Sequence, residues 1–166
     1  TPFPGVAVAS ISWKGDARMV VKIVKRDVEV TGVSKDHPLY GEHIPVERTL
    51  AMNPDGTQPV VLFGDSRRLI KRAMMGQPIA SLLPADPTHV LMAAFDGETV
   101  NLYRVDVMTG EYEKAERGEQ AENKITIDWQ ADADGFAWLR TYMMRDGTYG
   151  AEVRPRVVVD ANAAAD

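Results

Sequence analysis

The sequence predicts an all-β fold, and three observations support that class. The stretch from Thr99 to Tyr112 alternates apolar and polar residues and is interrupted by a Thr-Gly pair, which predicts a strand, a tight turn and the start of a second strand. Comparable runs with turn residues between them occupy 47–63 and 128–149. Valine and isoleucine are concentrated in 18–33, where β-branched side chains favour a long strand or a hairpin over a helix.

The composition is that of a single globular domain with a substantial core. The 166 residues are 45% apolar and 26% charged, and no apolar run approaches the roughly 18 residues that a transmembrane helix needs. The 19 basic and 24 acidic residues are interspersed and give a net charge of −5, which disfavours a broad nucleic-acid interface. The absence of cysteine excludes disulfides and thiolate metal sites, so redox chemistry does not distinguish a cytoplasmic from an exported protein. Because the chain begins with Thr1, we expect a trimmed or partial chain.

The first part of the chain predicts four strands and one helix-like window. The strands are expected at 6–13, 18–32, 47–53 and 58–63, with a polar, proline-containing loop over 34–45. The window 64–76 has an approximate helical period and a possible cap at Asp65 or Ser66, so a short helix or an ordered loop is expected there. The window also carries a weak basic patch, for which a solvated helix face is the simpler explanation than contact with an acidic partner. The residues of the patch are Arg67, Arg68, Lys71 and Arg72.

The rest of the chain predicts two further groups of strands. The middle group is expected at 79–83, 89–95, 99–108 and 111–117, with a proline-rich turn between its first two strands. The last group is expected at 124–131, 135–144 and 149–159, after a polar loop over 118–123, and it lacks a clear fourth strand. Four antiparallel strands in about forty residues match the size and strand count of a β-propeller blade.

We therefore predict a partial β-propeller of about two to three antiparallel four-stranded blades. The whole of 1–166 is expected to be one all-β region, with blade-like modules at about 6–63, 79–117 and 124–159. Three blades do not close a ring, because propellers have roughly four to eight. A self-contained β-sandwich remains an alternative, since such sheets can also stack in layers.

Two linked motifs resemble a known family. The stretch 81–92, SLLPADPTHVLM, followed by 101–110, NLYRVDVMTG, resembles the N-terminal propeller region of prolyl-oligopeptidase-type serine peptidases, including the acylaminoacyl and dipeptidyl peptidase branches. The segments IDW at 127–129 and DADG at 132–135 fit the next blade of that pattern, and the segment around Trp13 resembles an earlier one.

The resemblance implies that this chain is not itself catalytic. In such peptidases the propeller covers an α/β-hydrolase domain and filters the peptides that reach it, while the catalytic Ser, Asp and His lie in the hydrolase domain. This chain contains no GxSxG nucleophile elbow, since Ser66 stands in Gly-Asp-Ser-Arg-Arg. The expected partners are the hydrolase domain of a longer parent serine peptidase and a peptide substrate, with no nucleic acid, membrane or cofactor. A propeller-like protein-binding scaffold with no link to a peptidase is the alternative.

Two groups of histidines and polar residues resemble sites but have simpler explanations. His37 and His43, with the neighbouring Asp36 and Glu42, could be drawn as a metal site, yet their spacing fixes no coordination geometry and solvated loop residues explain them better. Ser66 and His89 could be drawn into a triad with an aspartate, but a triad is defined by geometry and a chain of this length offers many such triples.

Two further groups of residues also resemble ligand sites but have simpler structural explanations. Asp128, Asp132 and Asp134 could attract calcium, but the EF-hand order is missing and acidic turns explain them. The three tryptophans could stack on a ligand, although packing between sheets is the usual role of such side chains. These residues are Trp13, Trp129 and Trp138. We therefore predict no catalytic, cofactor-binding or metal-binding residue in the chain.

An isolated partial propeller exposes sheet faces that neighbouring blades would cover. We therefore expect this chain either to associate with copies of itself or to rearrange so as to bury those faces.

Overall fold

The described part of the protein forms three four-stranded antiparallel sheets, each built from four strands that are consecutive in the chain. The structure is a computed structural model, and it describes residues 5–31, 34–66, 69 and 76–156. The predicted all-β class is confirmed. No helix in the described part of the chain is long and apolar enough to span a membrane.

Sheet 1 contains β1 (Val6–Lys14), β2 (Arg18–Glu29), β3 (His43–Met52) and β4 (Val60–Val61). The β-branched run that predicted a long strand or a hairpin is one strand, β2, with a bulge near its end where Asp27 has a φ of 62°. The predicted loop over 34–45 is wrong at its end, because β3 begins at His43. The β2–β3 ladder continues through the pairing of Glu29 with His43, and backbone pairing there overrides the polar composition.

Sheet 2 contains β5 (Ile79–Ser81), β6 (His89–Phe95), β7 (Val100–Asp106) and β8 (Tyr112–Glu116), in agreement with the four predicted strands. The predicted turn between β5 and β6 is closed by a hydrogen bond from the Asp86 backbone N to the Leu83 carbonyl, at 3.0 Å. Strand β6 is buried on both sides, since consecutive residues such as Leu91 and Met92 are both inaccessible to solvent. Sheet 2 is therefore the central layer of the molecule.

Sheet 3 contains β9 (Gln120–Ala121), β10 (Lys124–Ala131), β11 (Ala137–Met144) and β12 (Tyr149–Val153). The fourth strand that the sequence lacks after β12 is β9, which precedes the other three and pairs with the start of β10. The predicted polar loop over 118–123 is therefore wrong at Gln120 and Ala121. Two exposed residues carry no alternating pattern that could have revealed a strand. The end of the third predicted strand, beyond 156, lies outside the described residues.

Two apolar cores join the three sheets. The first lies between sheets 1 and 2 and is formed by Val20, Ala51, Leu62, Phe63, Leu69, Val90, Met92, Ala94, Tyr103, Val105 and Val107. The second lies between sheets 2 and 3 and is formed by Leu83, Leu91, Ala93, Val100, Leu102, Trp129 and Ala137. Because adjacent residues of β6 belong to different cores, the sheets stack in chain order with sheet 2 in the middle.

Polar side chains reinforce both contacts by donating to backbone carbonyls. Arg18 is 2% exposed, and its guanidinium donates to the Val107 carbonyl of sheet 2 at 2.7 and 3.2 Å. On the other side, Trp129 Nε1 of sheet 3 donates to the Val100 carbonyl at 2.8 Å. Each bond satisfies a carbonyl that the sheet ladder leaves free, so packing of the sheets leaves few unpaired polar groups.

The outer faces of sheets 1 and 3 carry exposed apolar side chains. Ser12 lies opposite Val20, which packs toward sheet 2, so Ile11 and Trp13 lie on the outer face of sheet 1, where they are 56% and 59% exposed. On β12, Tyr149 and Val153 are likewise mostly exposed.

Most of the helix-like window, 67–68 and 70–75, lies outside the described residues. Ser66 Oγ accepts a hydrogen bond from the backbone N of Leu69 at 3.1 Å, which is the contact made by an N-cap residue. The predicted basic patch of Arg67, Arg68, Lys71 and Arg72 falls on the undescribed positions.

Candidate functional site

One turn from each sheet lies at a common end of the stack. Lys14, at the end of β1, donates from Nζ to the carbonyls of Leu82 and Leu83, the latter at 2.6 Å. Ser81 Oγ, at the end of β5, donates to the Asp132 carbonyl at 2.7 Å. The β1–β2, β5–β6 and β10–β11 connections are therefore held side by side, and we call this region the turn edge.

Asp86 is the central charged residue of the turn edge. Its carboxylate accepts hydrogen bonds from the backbone N of Thr88 at 2.9 Å and of His89 at 3.0 Å, which makes the Asx turn that starts β6. It also pairs with the Arg104 guanidinium and lies 3.1 Å from His89 Nδ1. Desolvation acts to raise the pKa of Asp86, but the hydrogen bonds from Arg104, Thr88 and His89 together outweigh it and hold the pKa well below its usual range.

The charges around Asp86 alternate in sign. The hydrogen bond to Asp86 raises the pKa of Arg104, which also lies 3.7 Å from the Glu113 carboxylate. His89 Nε2 lies 3.8 Å from Asp106 on the far side of its ring. Burial lowers the pKa of Lys14, while the nearby Asp86 carboxylate acts to raise it. The turn edge thus presents both signs of charge within one connected network.

A cleft of about 450 Å³ opens beside this network, between sheets 2 and 3. Its apolar wall is formed by Leu83, Ala85, Leu91, Ala115 and Ala133, and its charged groups are Asp86, Arg104 and Asp134. Gly135 completes the wall with a φ of +88°, and a Cβ at that position would lie 2.9 Å from Leu83 Cδ2. Glycine therefore allows the β10–β11 turn to approach sheet 2 closely.

The histidines and Ser66 that resembled a site have separate, local partners. His43 Nδ1 lies 2.9 Å from the Asp27 carboxylate, and His37 Nδ1 accepts a hydrogen bond from the Leu39 backbone N at 3.1 Å. Ser66 bonds Leu69, whereas His89 is held by carboxylates of the turn edge. In the described ranges no three histidine or acidic side chains are grouped so that they could hold a metal ion.

The three aspartates considered for calcium have different environments. Asp132 accepts hydrogen bonds from the backbone N of Asp134 and Phe136 in its own turn, as the acidic-turn interpretation predicts. Arg156 pairs with both Asp132 and Asp134, at 3.2 and 2.8 Å. Asp128 lies instead within β10, where its Oδ1 has no hydrogen-bond partner among the residues that the structure describes.

The prediction that the tryptophans are core residues is correct for Trp129 alone. Trp129 is 4% exposed between sheets 2 and 3, whereas Trp13 and Trp138 are 59% and 38% exposed. Trp13 lies on the outer face of sheet 1, where none of the described residues forms a covering sheet. Its hydrophobic character alone could not reveal which face of the strand is covered.

The residues with the most contacts in the site could not be identified from sequence. The prolines at 84 and 87 predicted a turn, but the pairing of Asp86 with Arg104 depends on the β6–β7 register, which places Arg104 beside Leu91. No local sequence pattern marks Lys14, although its buried ammonium joins sheets 1 and 2.

The fold and the turn edge define an all-β protein of three stacked antiparallel sheets with a charged cleft at one end. No family model, curated protein or solved structure matches this chain.

Proposed function

We propose that this chain is part of a β-propeller that restricts the access of peptides to the hydrolase domain of a prolyl-oligopeptidase-type serine peptidase. The observation that carries the proposal is the stacking of three four-stranded sheets in chain order, with sheet 2 buried on both faces. In a propeller each blade packs against the blade before it and the blade after it. Sheet 2 has this environment, and the motifs that resemble the peptidase family lie in it.

The outer faces of sheets 1 and 3 support further blades on either side. The exposed Ile11 and Trp13 on one face, and Tyr149 and Val153 on the other, are the kind of apolar side chains that a packed neighbour covers. In a closed ring, a preceding blade would cover sheet 1 and a following blade would cover sheet 3.

The function of such a segment is steric and electrostatic. Rigid sheets limit the size of a peptide that can pass, and the turn edge adds carboxylates and cations that select for charge. The catalytic Ser, Asp and His would be supplied by the hydrolase domain.

The test uses the protein encoded by the complete reading frame. We expect it to hydrolyse a short chromogenic peptide and to cleave a long peptide much more slowly. Replacing Trp129 with Ala removes the bond to Val100 and loosens sheets 2 and 3, so cleavage of the long peptide should rise relative to the short one. Trp138→Ala, which alters an exposed tryptophan of the same sheet, is the matched control.

Two results would overturn the proposal. A complete protein no longer than this chain would leave no hydrolase domain to gate. A longer protein with more strand repeats and no hydrolysis would support the protein-binding scaffold instead.

A further inference from the structure

A second cavity, of about 250 Å³, lies where sheets 2 and 3 meet, and its lining differs from that of the cleft at the turn edge. It is lined mainly by apolar groups, among them Pro78, Ala93, Phe95, Val100 and Ile127, with Asp128 as its charged residue. Pockets for drug-sized ligands occupy roughly 300–1,000 Å³, so this cavity suits a smaller molecule or one side chain.

One residue of the cavity lining has a buried polar atom without a hydrogen-bond partner among the described residues. This atom is Asp128 Oδ1. Because buried polar groups are nearly always hydrogen-bonded, the unpaired Asp128 oxygen calls for a specific explanation.

The charge of Asp128 limits the kind of ligand that the cavity can bind. The carboxylates of the turn edge have cationic partners, such as Arg104 for Asp86 and Arg156 for Asp134, whereas no ion pair involves Asp128 among the described residues. None of the residues lining the cavity is basic. A group that enters it and pairs with Asp128 must therefore bring its own positive charge and N–H donors.

We propose that this cavity binds a primary alkylammonium group. The ammonium pairs with the Asp128 carboxylate, and its short alkyl stem packs on the apolar wall that includes Phe95 and Ile127. A free amine and the side chain of a lysine residue both offer this chemistry. The proposal is independent of the peptidase function, since it depends on the local lining of the cavity alone.

The first test is an amide NMR titration of the 166-residue chain at neutral pH with n-butylammonium and with 1-butanol, its neutral isostere. We expect saturable shifts at Ala93, Phe95 and Ile127 with the ammonium and none with the alcohol. Asp128→Asn should weaken binding at least about tenfold, because it replaces a charge-assisted hydrogen bond by a neutral one. Asp16→Asn, at an exposed turn carboxylate, should leave the affinity unchanged.

A parallel titration with Nα-acetyl-lysine amide identifies the source of the ammonium. Saturable shifts at the same residues would assign a lysine side chain, and their absence alongside n-butylammonium binding would assign a free amine. Equal binding of n-butylammonium and 1-butanol, shifts confined to other surfaces, or no saturation with any probe would overturn the proposal.

If Asp128→Asn does not fold, a thermal unfolding experiment on the unmodified chain still tests the proposal. Thermal unfolding of the unmodified chain should shift to higher temperature with n-butylammonium but not with equimolar 1-butanol, because a ligand that binds only the native state stabilises it. Equal shifts with both compounds would contradict the proposal.

Discussion

At the scale of single residues, Asp86 links the turn at the start of β6 to Arg104 of β7 and to His89 of β6. Its carboxylate is hydrogen-bonded by two backbone N–H groups, by Arg104 and by His89. A carboxylate with several donors is stabilised in its ionised form, so its protonation state is coupled to folding.

Asp86→Asn should destabilise the protein by about 1–3 kcal/mol at pH 7, because the neutral amide cannot accept the same set of hydrogen bonds. The pKa of Asp86 is lowered on folding, so its stabilising contribution is complete above the unfolded pKa of about 3.9 and is lost as the pH falls through and below that value. Urea unfolding at pH 5 and pH 3 should show the difference between the two proteins shrinking by about 1 kcal/mol.

The control for this prediction is Asp55→Asn. Asp55 also has a lowered pKa, caused first by its hydrogen bond from Thr57, but it lies in an exposed turn and no described residue is its cationic partner. Its substitution should have the smaller effect. An equal loss of stability in both variants would show that Asp86 contributes no more than an ordinary turn aspartate.

Residue type predicted the turns of the site but not its ion pairs. Asp-Pro and Asp-Gly signals located the turns at 84–87 and 134–135, because Asp and Gly act on the adjacent backbone. Contacts across strands or sheets determine the other features of the site. These features are the pairing of Asp86 with Arg104, the burial of Lys14 and the unpaired oxygen of Asp128. Nothing local to those residues distinguishes them from solvated charges.

At the scale of elements, the β10–β11 turn requires glycine for two reasons that can be separated. Gly135 has a φ of +88° and no room for a Cβ beside Leu83, whereas Gly147 in the next turn has a φ of +84° and nothing within 4 Å. Gly147→Ala should cost about 1–2 kcal/mol through its backbone conformation alone. Gly135→Ala should cost about 1 kcal/mol more, since Leu83 must also move.

Chemical denaturation of the two glycine variants measures these costs. Equal costs would mean that Leu83 adjusts freely and that the turn does not depend on close approach to sheet 2.

The Trp129 indole is the largest side chain in the core between sheets 2 and 3, and it also makes a hydrogen bond between the two sheets. Trp129→Phe removes the donor to the Val100 carbonyl and leaves that buried acceptor unpaired, so we expect a loss of about 2–4 kcal/mol in unfolding free energy. Trp138→Phe changes a partly exposed side chain and should cost under about 1 kcal/mol. Similar losses in thermal and urea unfolding for the two variants would contradict the assigned role of Trp129.

Strands with a long alternating or β-branched run were predicted well, and short strands were not. Strands β6 and β7 carry enough apolar residues to be located from sequence, whereas β9 is two exposed residues held only by pairing with β10. The start of β3 at His43 is likewise fixed by its neighbour β2 rather than by its own composition.

At the scale of the whole molecule, the two outer faces determine how the isolated chain behaves. We predict that it associates through the apolar face of sheet 1, where Ile11 and Trp13 are exposed. Ile11→Lys should weaken association at least about tenfold, since it places a charge in that contact while changing monomer stability by less than about 0.5 kcal/mol. Sedimentation velocity over a range of concentrations measures this.

Tyr149→Lys, on the outer face of sheet 3, is the matched variant for the other side. If it weakens association and Ile11→Lys does not, the contact lies on sheet 3. A compact monomer at all concentrations would rule out self-association.

The bonds from Lys14 and Arg18 have a consequence for how this sequence can change over evolution. Both side chains cross from sheet 1 to sheet 2 and bind backbone carbonyls, at Leu82, Leu83 and Val107. A carbonyl is present whatever amino acid occupies the position, so substitutions on the accepting side need no compensating change at Lys14 or Arg18. Lys14 and Arg18 should therefore be conserved. The residues at the accepting positions can change within the limits that packing sets, without correlated changes at Lys14 or Arg18.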